Sequence, residues 1–321
     1  MPGITRLAPS PTGALHLGNA RTFLVNWLLA RANDWRICLR IEDLDGPRIK
    51  RGADQQAIDD LRWLGLDWDD GPVRQSTRHA VYADLVRQLL SSGDAYPCTC
   101  SRREVDLAAS APHAEDGASV YPGTCRGRFS SLDDARRACG RAPAIRFRVS
   151  DQPVSFVDRF AGERVFHPAR DLGDFVIQKA DGTAAYQLAV VADDAAAGVT
   201  EIVRGDDLID STPRQILLYR ALGWGTKTPV YTHLPLVVGG DGRRLAKRHG
   251  DTRLAAYRTA GVPVERVLAL LARWCGVSAS VIEARDLLAT FALDRLPRAP
   301  ILFSEADDAF LRADLPGGGS T

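Results

Sequence analysis

The run Arg6-Leu7-Ala8-Pro9-Ser10-Pro11-Thr12-Gly13-Ala14-Leu15-His16-Leu17-Gly18-Asn19-Ala20-Arg21 constrains the fold more than any other stretch of the chain. Its apolar start reads as a strand, and two prolines with a glycine then forbid both a continuing strand and an early helix. From Leu17 the pattern turns helical, with Leu17, Ala20, Leu24, Trp27, Leu28 and Arg31 recurring along one face. Strand, tight loop and helix follow one another. Such a loop aims free backbone N–H groups and the positive end of the helix dipole at whatever lies above it, which suits a triphosphate. His16 is placed to donate to phosphate oxygens, and Gly18 to let a flat ring approach the backbone. The same residues are also good turn formers, so the run by itself leaves a plain turn open.

Written out in full, the run resembles the first signature of class I aminoacyl-tRNA synthetases. The form is that of the glutamyl-tRNA synthetases, where Arg-x-Ala-Pro-Ser-Pro-Thr-Gly precedes the His-Ile-Gly-His element. Asn19 stands in place of the second histidine, keeping a donor for phosphate while losing the titratable ring. The resemblance implies an α/β fold: a Rossmann-like catalytic domain with an inserted zinc-bearing subdomain and a C-terminal helical stem-contact region. It also implies that His16, Gly18 and Asn19 bind ATP and that Arg6, Ala8 and Ser10 belong to a glutamate site.

In Trp35 to Asp45, Ile37, Leu39 and Ile41 alternate with Cys38, Arg40 and Glu42, the period of a strand with two different faces. Glu42 falls at its C-terminal end, where open α/β sheets bind ligands. Spacing alone allows either a carboxylate for an amino group or an exposed acidic turn, Glu-Asp-Leu-Asp. The resemblance implies the former, with Glu42 holding the ammonium of the amino acid. Residues 50–64 and 77–92 read as helices.

Six cysteines, at 38, 98, 100, 125, 139 and 275, are too few and too scattered for a disulfide framework. With no leader-like start and no apolar run of membrane-spanning length, a reduced, cytoplasmic chain is expected. Cys98-Thr99-Cys100 and the later Tyr121-Pro122-Gly123-Thr124-Cys125 place three thiols and a phenol in one excursion, a donor set for a thiolate-preferring ion such as zinc. His113 rivals Tyr121 for the fourth position. The resemblance points to Cys98, Cys100, Tyr121 and Cys125, because a short branch of the family holds a structural zinc with Cys-x-Cys and Tyr-x-x-x-Cys. The stretch 108–119 reads as a flexible loop, and Cys38, Cys139 and Cys275 as ordinary thiols.

Short alternating runs between Ala144 and Phe166 indicate a small antiparallel portion. Tyr186 opens a helix and Arg204 ends a strand, positions that spacing assigns to packing and a surface charge. The resemblance implies instead that both close on glutamate, with Arg6 as a second cation, since arginine pairs a carboxylate through two parallel N–H bonds. Which arginine meets which carboxylate stays open. Thr212-Pro213-Arg214-Gln215 reads as a capping box with proline in the first turn, and Val230 to Val237 as a strand.

After a tight turn at 239–242, Arg244-Leu245-Ala246-Lys247-Arg248 resembles a degenerate second class I signature, Lys-Met-Ser-Lys-Ser. Lys247 falls on its essential lysine and, with His16, is assigned to catalysis by neutralising triphosphate charge. Unaided, the cluster is a solvated or phosphate-contacting turn. The whole chain carries a net charge of only +1, yet from Asp241 to Arg273 eight Lys/Arg face three Asp/Glu. This excess lies on two apparent helices, 252–260 and 264–275, which either track an RNA backbone or present a solvated face.

The expected organisation is a first catalytic half over 1–95 and an inserted zinc subdomain over 96–170. A second catalytic half spans 171–248, a helical stem-contact region 249–315 and a disordered tail 316–321. A glutamyl-tRNA synthetase would continue into a separate anticodon-binding domain, for which the residues after Lys247 leave no room. The expected activity is therefore that of the short branch: tRNA-independent activation of glutamate by Mg-ATP and its transfer to the queuosine base in the anticodon stem-loop of tRNA(Asp). A complete enzyme charging tRNA(Glu) is one alternative. A non-catalytic binding paralogue, suggested by Asn19 and Ala246, is another. A monomer without membrane contact is expected.

Overall fold

In a computed structural model of the chain, residues 2–101, 103–105, 120–243, 245, 251–277 and 281–313 are described. His113, the loop 108–119, Lys247 with most of its basic neighbours, and the tail lie outside them. Strands β1 (Ile4–Leu7), β2 (Arg36–Ile41) and β3 (Asp70–Arg74) form a parallel sheet in that order, Ile4 opposite Arg36 and Leu7 opposite Leu39. Parallel neighbours need a crossover. Helices α1 (Leu17–Ala32) and α2 (Ala53–Trp63) supply the two crossovers.

Helix α1 is more deeply placed than a one-faced pattern suggests. Leu17, Ala20, Leu24, Trp27 and Leu28 are buried as the spacing requires, but Arg21, Val25, Asn26 and Ala30 are buried too. The polar members bond inside: Arg21 donates to the carbonyls of Trp274 (3.2 Å) and Pro235 (2.8 Å), while its Nη2 has no hydrogen-bond partner among the described residues. Asn26 takes the Thr5 hydroxyl (2.9 Å) and donates to the Arg6 carbonyl (2.8 Å). Each large apolar side chain so buried contributes about 1.5–3 kcal/mol before the cost of ordering. Strand β2 departs from a two-faced reading in the same way, since Arg40 is buried like Ile37, Leu39 and Ile41.

Helix α3 (His79–Ser91) leads to β4 (Ala95–Cys98). After α4 (Leu132–Cys139) come β5 (Ala144–Phe147), the antiparallel hairpin β6 (Val154–Asp158) and β7 (Gly162–Phe166), a short α5 (Pro168–Asp171) and β8 (Phe175–Gln178). Strands β4, β5 and β8 pair antiparallel in that order. The chain then returns to parallel structure with α6 (Tyr186–Ala197), β9 (Glu201–Gly205), α7 (Ser211–Ala221) and β10 (Val230–Leu234). Hydrogen bonds between Ile4 and Thr200 bring β9 alongside β1, so that the two halves of the parallel structure meet.

Two sequence expectations are corrected here. The strand expected over 230–237 ends at Leu234, and Val237–Val238 (β11) pairs instead with Ile301–Leu302 (β12). The capping box on Thr212 does not form: α7 starts at Ser211 without a side-chain cap, and the Thr212 hydroxyl accepts from Arg204. A buried guanidinium competes for that oxygen more strongly than a backbone amide does.

Helices α8 (Leu254–Thr259) and α9 (Val264–Trp274), followed by α10 (Glu305–Arg312), pack with α1 and α2 in one large core. Their arginines are largely spoken for. Arg253 pairs with Asp251, Arg258 with Asp60 (3.4 Å) and Arg273 with Asp307 (2.6 Å), while Arg266 donates to the carbonyls of Leu311 (3.2 Å) and Ala313. Among the described residues, no helix is long and apolar enough to cross a membrane.

Candidate functional site

The loop between β1 and α1 forms one wall of a cavity of about 410 Å³. His16 caps α1: its Nδ1 accepts from the backbone N–H of Gly18 (3.1 Å) and Asn19 (3.4 Å), and the Asn19 Oδ1 accepts from the His16 N–H (3.3 Å). A neutral ring therefore carries its proton on Nε2. A Cβ on Gly18 would come within 3.0 Å of the His16 ring and 3.4 Å of Val237. The glycine thus makes room for the histidine as well as for whatever enters above it. Asn19 replaces the family's histidine and completes the cap with the same side chain.

Glu42 follows β2 directly, as expected from the sheet edge. Its backbone is tied to the loop by its own N–H donating to Pro9 (3.0 Å) and by the Ser10 hydroxyl donating to its carbonyl (3.3 Å). Its carboxylate accepts from Arg40 at 3.0 Å. Burial nevertheless outweighs Arg40 and Arg6 and holds the Glu42 carboxyl above the usual range. Arg40 gives its stronger bond to Asp194 (2.5 Å).

Arg204, buried on β9, lines the same cavity. Among the described residues its three bonds all go to neutral acceptors: Nε to His233 Nε2 (2.9 Å), Nη1 to Gln215 Oε1 (2.9 Å) and Nη2 to Thr212 Oγ1 (2.8 Å). Arg6, also buried, donates to the Val203 carbonyl (3.3 Å), and its nearest carboxylate among the described residues is Asp194 at 3.6 Å. Among the described residues its Nε has no hydrogen-bond partner. Burial, reinforced by Arg40 and Arg204, pulls the Arg6 guanidinium below its ordinary value despite Asp194. Two under-compensated cations and a carboxylate lining one cavity can receive a zwitterion that carries an extra carboxylate.

Arg6, Ala8, Ser10, Glu42, Tyr186, Arg204, His16, Gly18 and Asn19 all line this one cavity. Lys247 lies outside the described residues. Sequence reasoning missed Asp207, Leu208, Leu236 and Val237 on the rim, and the layer of Asp158, Thr212, Gln215 and His233 behind Arg204. Asp158 and His233, single polar residues inside short strands, carry no local signal of such a role.

At the end of β4 the second constellation assembles. The thiols of Cys98, Cys100 and Cys125 lie within 4.8 Å of one another. The Tyr121 hydroxyl is 3.4 Å from the Cys98 sulfur and 3.5 Å from that of Cys100, while Cys100 and Cys125 are 3.5 Å apart. Four donors at such spacing fit a tetrahedral ion with sulfur ligands near 2.3 Å. Burial pushes the Cys100 thiol up to about 11, whereas at Cys125 hydrogen bonds from Thr99, Tyr121 and Cys100 outweigh burial and bring it down to about 7. Arg146 donates to Cys98 (3.3 Å) and lies over the Tyr121 ring, a cation beside a site of accumulating negative charge.

The profile of tRNA synthetases class I (E and Q), catalytic domain, matches residues 4–304. The chain is 48% identical over 307 residues to a glutamyl-Q tRNA(Asp) synthetase of Symbiobacterium thermophilum, covering 92% of this chain and 94% of the relative. It is 50% identical over 296 residues to one of Rhodopirellula baltica, covering 88% and 87%. Among solved structures, a glutamate tRNA ligase from Elizabethkingia meningosepticum, crystallised with its amino acid, superposes with a TM-score of 0.81 at 27% identity. That match covers 97% of this chain and 69% of the ligase.

Proposed function

The chain belongs to the class I tRNA synthetases of the E and Q group, and from that premise we propose that it activates L-glutamate with Mg-ATP without tRNA and transfers it to the queuosine base in the anticodon of tRNA(Asp). The observation that carries this reading is Arg204, a buried cation that lines the same cavity as Glu42 and whose three hydrogen-bond partners among the described residues are all neutral. A substrate with one ammonium and two carboxylates matches that arrangement better than an amide or an apolar amino acid does.

Glu42 receives the ammonium, Tyr186 closes over the amino acid, and Arg204 with Arg6 takes its carboxylates. One glutamate carboxylate oxygen attacks the α-phosphorus of ATP in line, the bond to pyrophosphate breaks, and a mixed anhydride forms. The N-terminus of α1, Asn19 and His16 Nε2–H stabilise the charge gathering on the phosphates, with Lys247 supplying a cation from the second signature. Transfer to the nucleoside releases AMP. Cys98, Cys100, Tyr121 and Cys125 hold one structural zinc, which cross-links the subdomain over 96–170 when bound and takes no part in the transfer. The helices over 249–315 lie against the stem of the RNA. Their ion pairs with Asp60, Asp251 and Asp307 imply that fewer of their arginines are available to phosphates than the count in the sequence suggests.

Glutamate-dependent exchange of pyrophosphate into ATP, without RNA and with Lys247→Ala as control, tests activation. Labelled glutamate with queuosine-containing tRNA(Asp), unmodified tRNA(Asp) and tRNA(Glu) tests the acceptor. Exchange without RNA, lost in the variant, and labelling of the queuosine-containing RNA alone are expected. Charging of tRNA(Glu), or the absence of exchange, overturns the reading.

A further inference from the structure

Arg204 on β9 and His233 on β10 are directly opposed in the parallel register, and the hydrogen bond between them fixes which nitrogen of the ring carries the proton. An arginine Nε–H only donates, so His233 Nε2 accepts and Nδ1 holds the hydrogen. Nδ1 lies 2.6 Å from Asp158 Oδ2, to which it donates. The other oxygen of Asp158 is already engaged: Oδ1 accepts the backbone N–H groups of Phe160 (3.0 Å) and Ala161 (2.7 Å), and the N–H of His233 itself is shared between Oδ1 (3.1 Å) and Oδ2 (3.2 Å). Both side chains are fully buried, and neither lines the cavity.

The arrangement solves a conflict. A carboxylate bonded directly to Arg204 would hold the guanidinium well but would cancel the charge the substrate needs. With a neutral imidazole between Asp158 and Arg204, the guanidinium is oriented and its charge is kept for the ligand. We propose that Asp158 and His233 form a positioning relay that, by locking the imidazole as the Nδ1–H tautomer, sets Arg204 for a carboxylate and thereby secures selection of an acidic amino acid. The inference rests on the glutamate-binding reading above and assigns to that site two residues that never touch the substrate.

Asp158→Asn is the sharp test because it removes no atom. The Phe160 and Ala161 N–H groups, which Oδ1 alone accepts, keep the amide oxygen where it is, so the amide nitrogen faces His233 Nδ1, which must then accept. The ring proton moves to Nε2 and points at the Arg204 Nε–H, donor against donor. Glutamate-dependent pyrophosphate exchange and calorimetric glutamate binding are measured for the full chain, for Asp158→Asn, for His233→Leu and for His233→Gln, whose amide oxygen can take the place of Nε2. The expected result is a rise of tenfold or more in KM and Kd for glutamate in Asp158→Asn and His233→Leu. KM for ATP should stay within twofold, and His233→Gln should recover most of the loss.

A glutamate KM in Asp158→Asn equal to that of the unmodified chain overturns the relay. Equal rises in KM for glutamate and ATP, or a His233→Gln variant as weak as His233→Leu, also overturn it, since they mark a merely structural role. Should His233→Leu fail to fold, Asp158→Asn and His233→Gln decide alone. An unmodified chain that neither binds glutamate nor exchanges pyrophosphate fails the functional reading itself and takes the relay with it. An unmodified chain that does both, with variants that match it, fails the relay only.

Discussion

Arg40 on β2 and Asp194 on α6 are 154 residues apart in sequence and share a buried hydrogen bond of 2.5 Å. Asp194 is also the nearest carboxylate to Arg6, so one anion serves two buried guanidinium groups. The attraction of Asp194, Glu42 and Asp193 overcomes the burial that would lower Arg40 and holds its charge firmly in place. The pair joins the two halves of the parallel structure beneath the cavity, where an uncompensated charge has no water to retreat to. Asp194→Asn keeps the shape and an acceptor oxygen but removes the charge. A loss of about 3–5 kcal/mol in folding stability is expected by denaturant unfolding. A loss below about 1 kcal/mol, within the range of an ordinary surface pair, would show that Arg40 and Arg6 are stabilised by other means.

Glu42 makes a second prediction, this time about pH. Its carboxyl lies above the usual range because burial outweighs the attraction of Arg40 and Arg6. As pH falls through that raised pKa the carboxyl takes up a proton and loses its attraction for an ammonium, so KM for glutamate rises on the acid side. Glu42→Gln should raise that KM by about two orders of magnitude, corresponding to about 2.7 kcal/mol, and should abolish the acid limb. An acid limb that survives the substitution would assign it to another group.

What the sequence discloses and what it hides follows from how far apart the interacting residues lie. The β1–loop–α1 unit is encoded by neighbours: prolines and glycine act on their own backbone within a few positions, so the strand, the loop and the helix start are readable directly, whereas the capping of α1 by His16 emerges only in the fold. Glu42 is readable only in part: strand length places it at the sheet edge, but spacing leaves an exposed acidic turn open there, and the resemblance to the synthetases points to a ligand role. Thr212 shows the limit. Its sequence surroundings are those of a helix cap, yet its hydroxyl is taken by Arg204 from the preceding strand. Asp158 and His233 look ordinary because their meaning depends on a register between strands that no local pattern specifies. The basic helices mislead in the same manner, since Asp60 and Asp307, which pair with their arginines, lie far away in sequence.

The sulfur cluster predicts metal content. With the thiols of Cys98, Cys100 and Cys125 within 4.8 Å of one another and the Tyr121 hydroxyl beside two of them, the purified chain should carry one zinc per molecule by elemental analysis. Cys125→Ser should lose it. Tyr121→Phe should keep it with weaker affinity, because it removes both an oxygen ligand and the acceptor of the Cys125 N–H (2.8 Å). Chelation should lower the unfolding temperature of the unmodified chain and leave that of Cys125→Ser unchanged. A chain purified without zinc, or a chelator with no effect on unfolding, would remove the metal from this account.

Asp60 on α2 is fully buried, neither of its oxygens accepts a hydrogen bond among the described residues, and Arg258 approaches no closer than 3.4 Å. Burial accordingly pushes its carboxyl up to about 6 from an ordinary 3.8, against the weaker pull of Arg258. Between those two values the folded chain keeps a proton that the unfolded chain has released, so stability falls as pH rises through the window and stays low above it. Asp60→Asn presents a neutral group of the same shape at every pH. It should therefore be more stable than the unmodified chain at pH 7 by about 1–3 kcal/mol, and the two should converge below pH 4, where both side chains are neutral. Denaturant unfolding at both pH values measures the difference. An asparagine variant less stable at neutral pH would mean that the pairing with Arg258 outweighs the cost of burying the charge, and that α2 and α8 are held together by the ion pair rather than in spite of it.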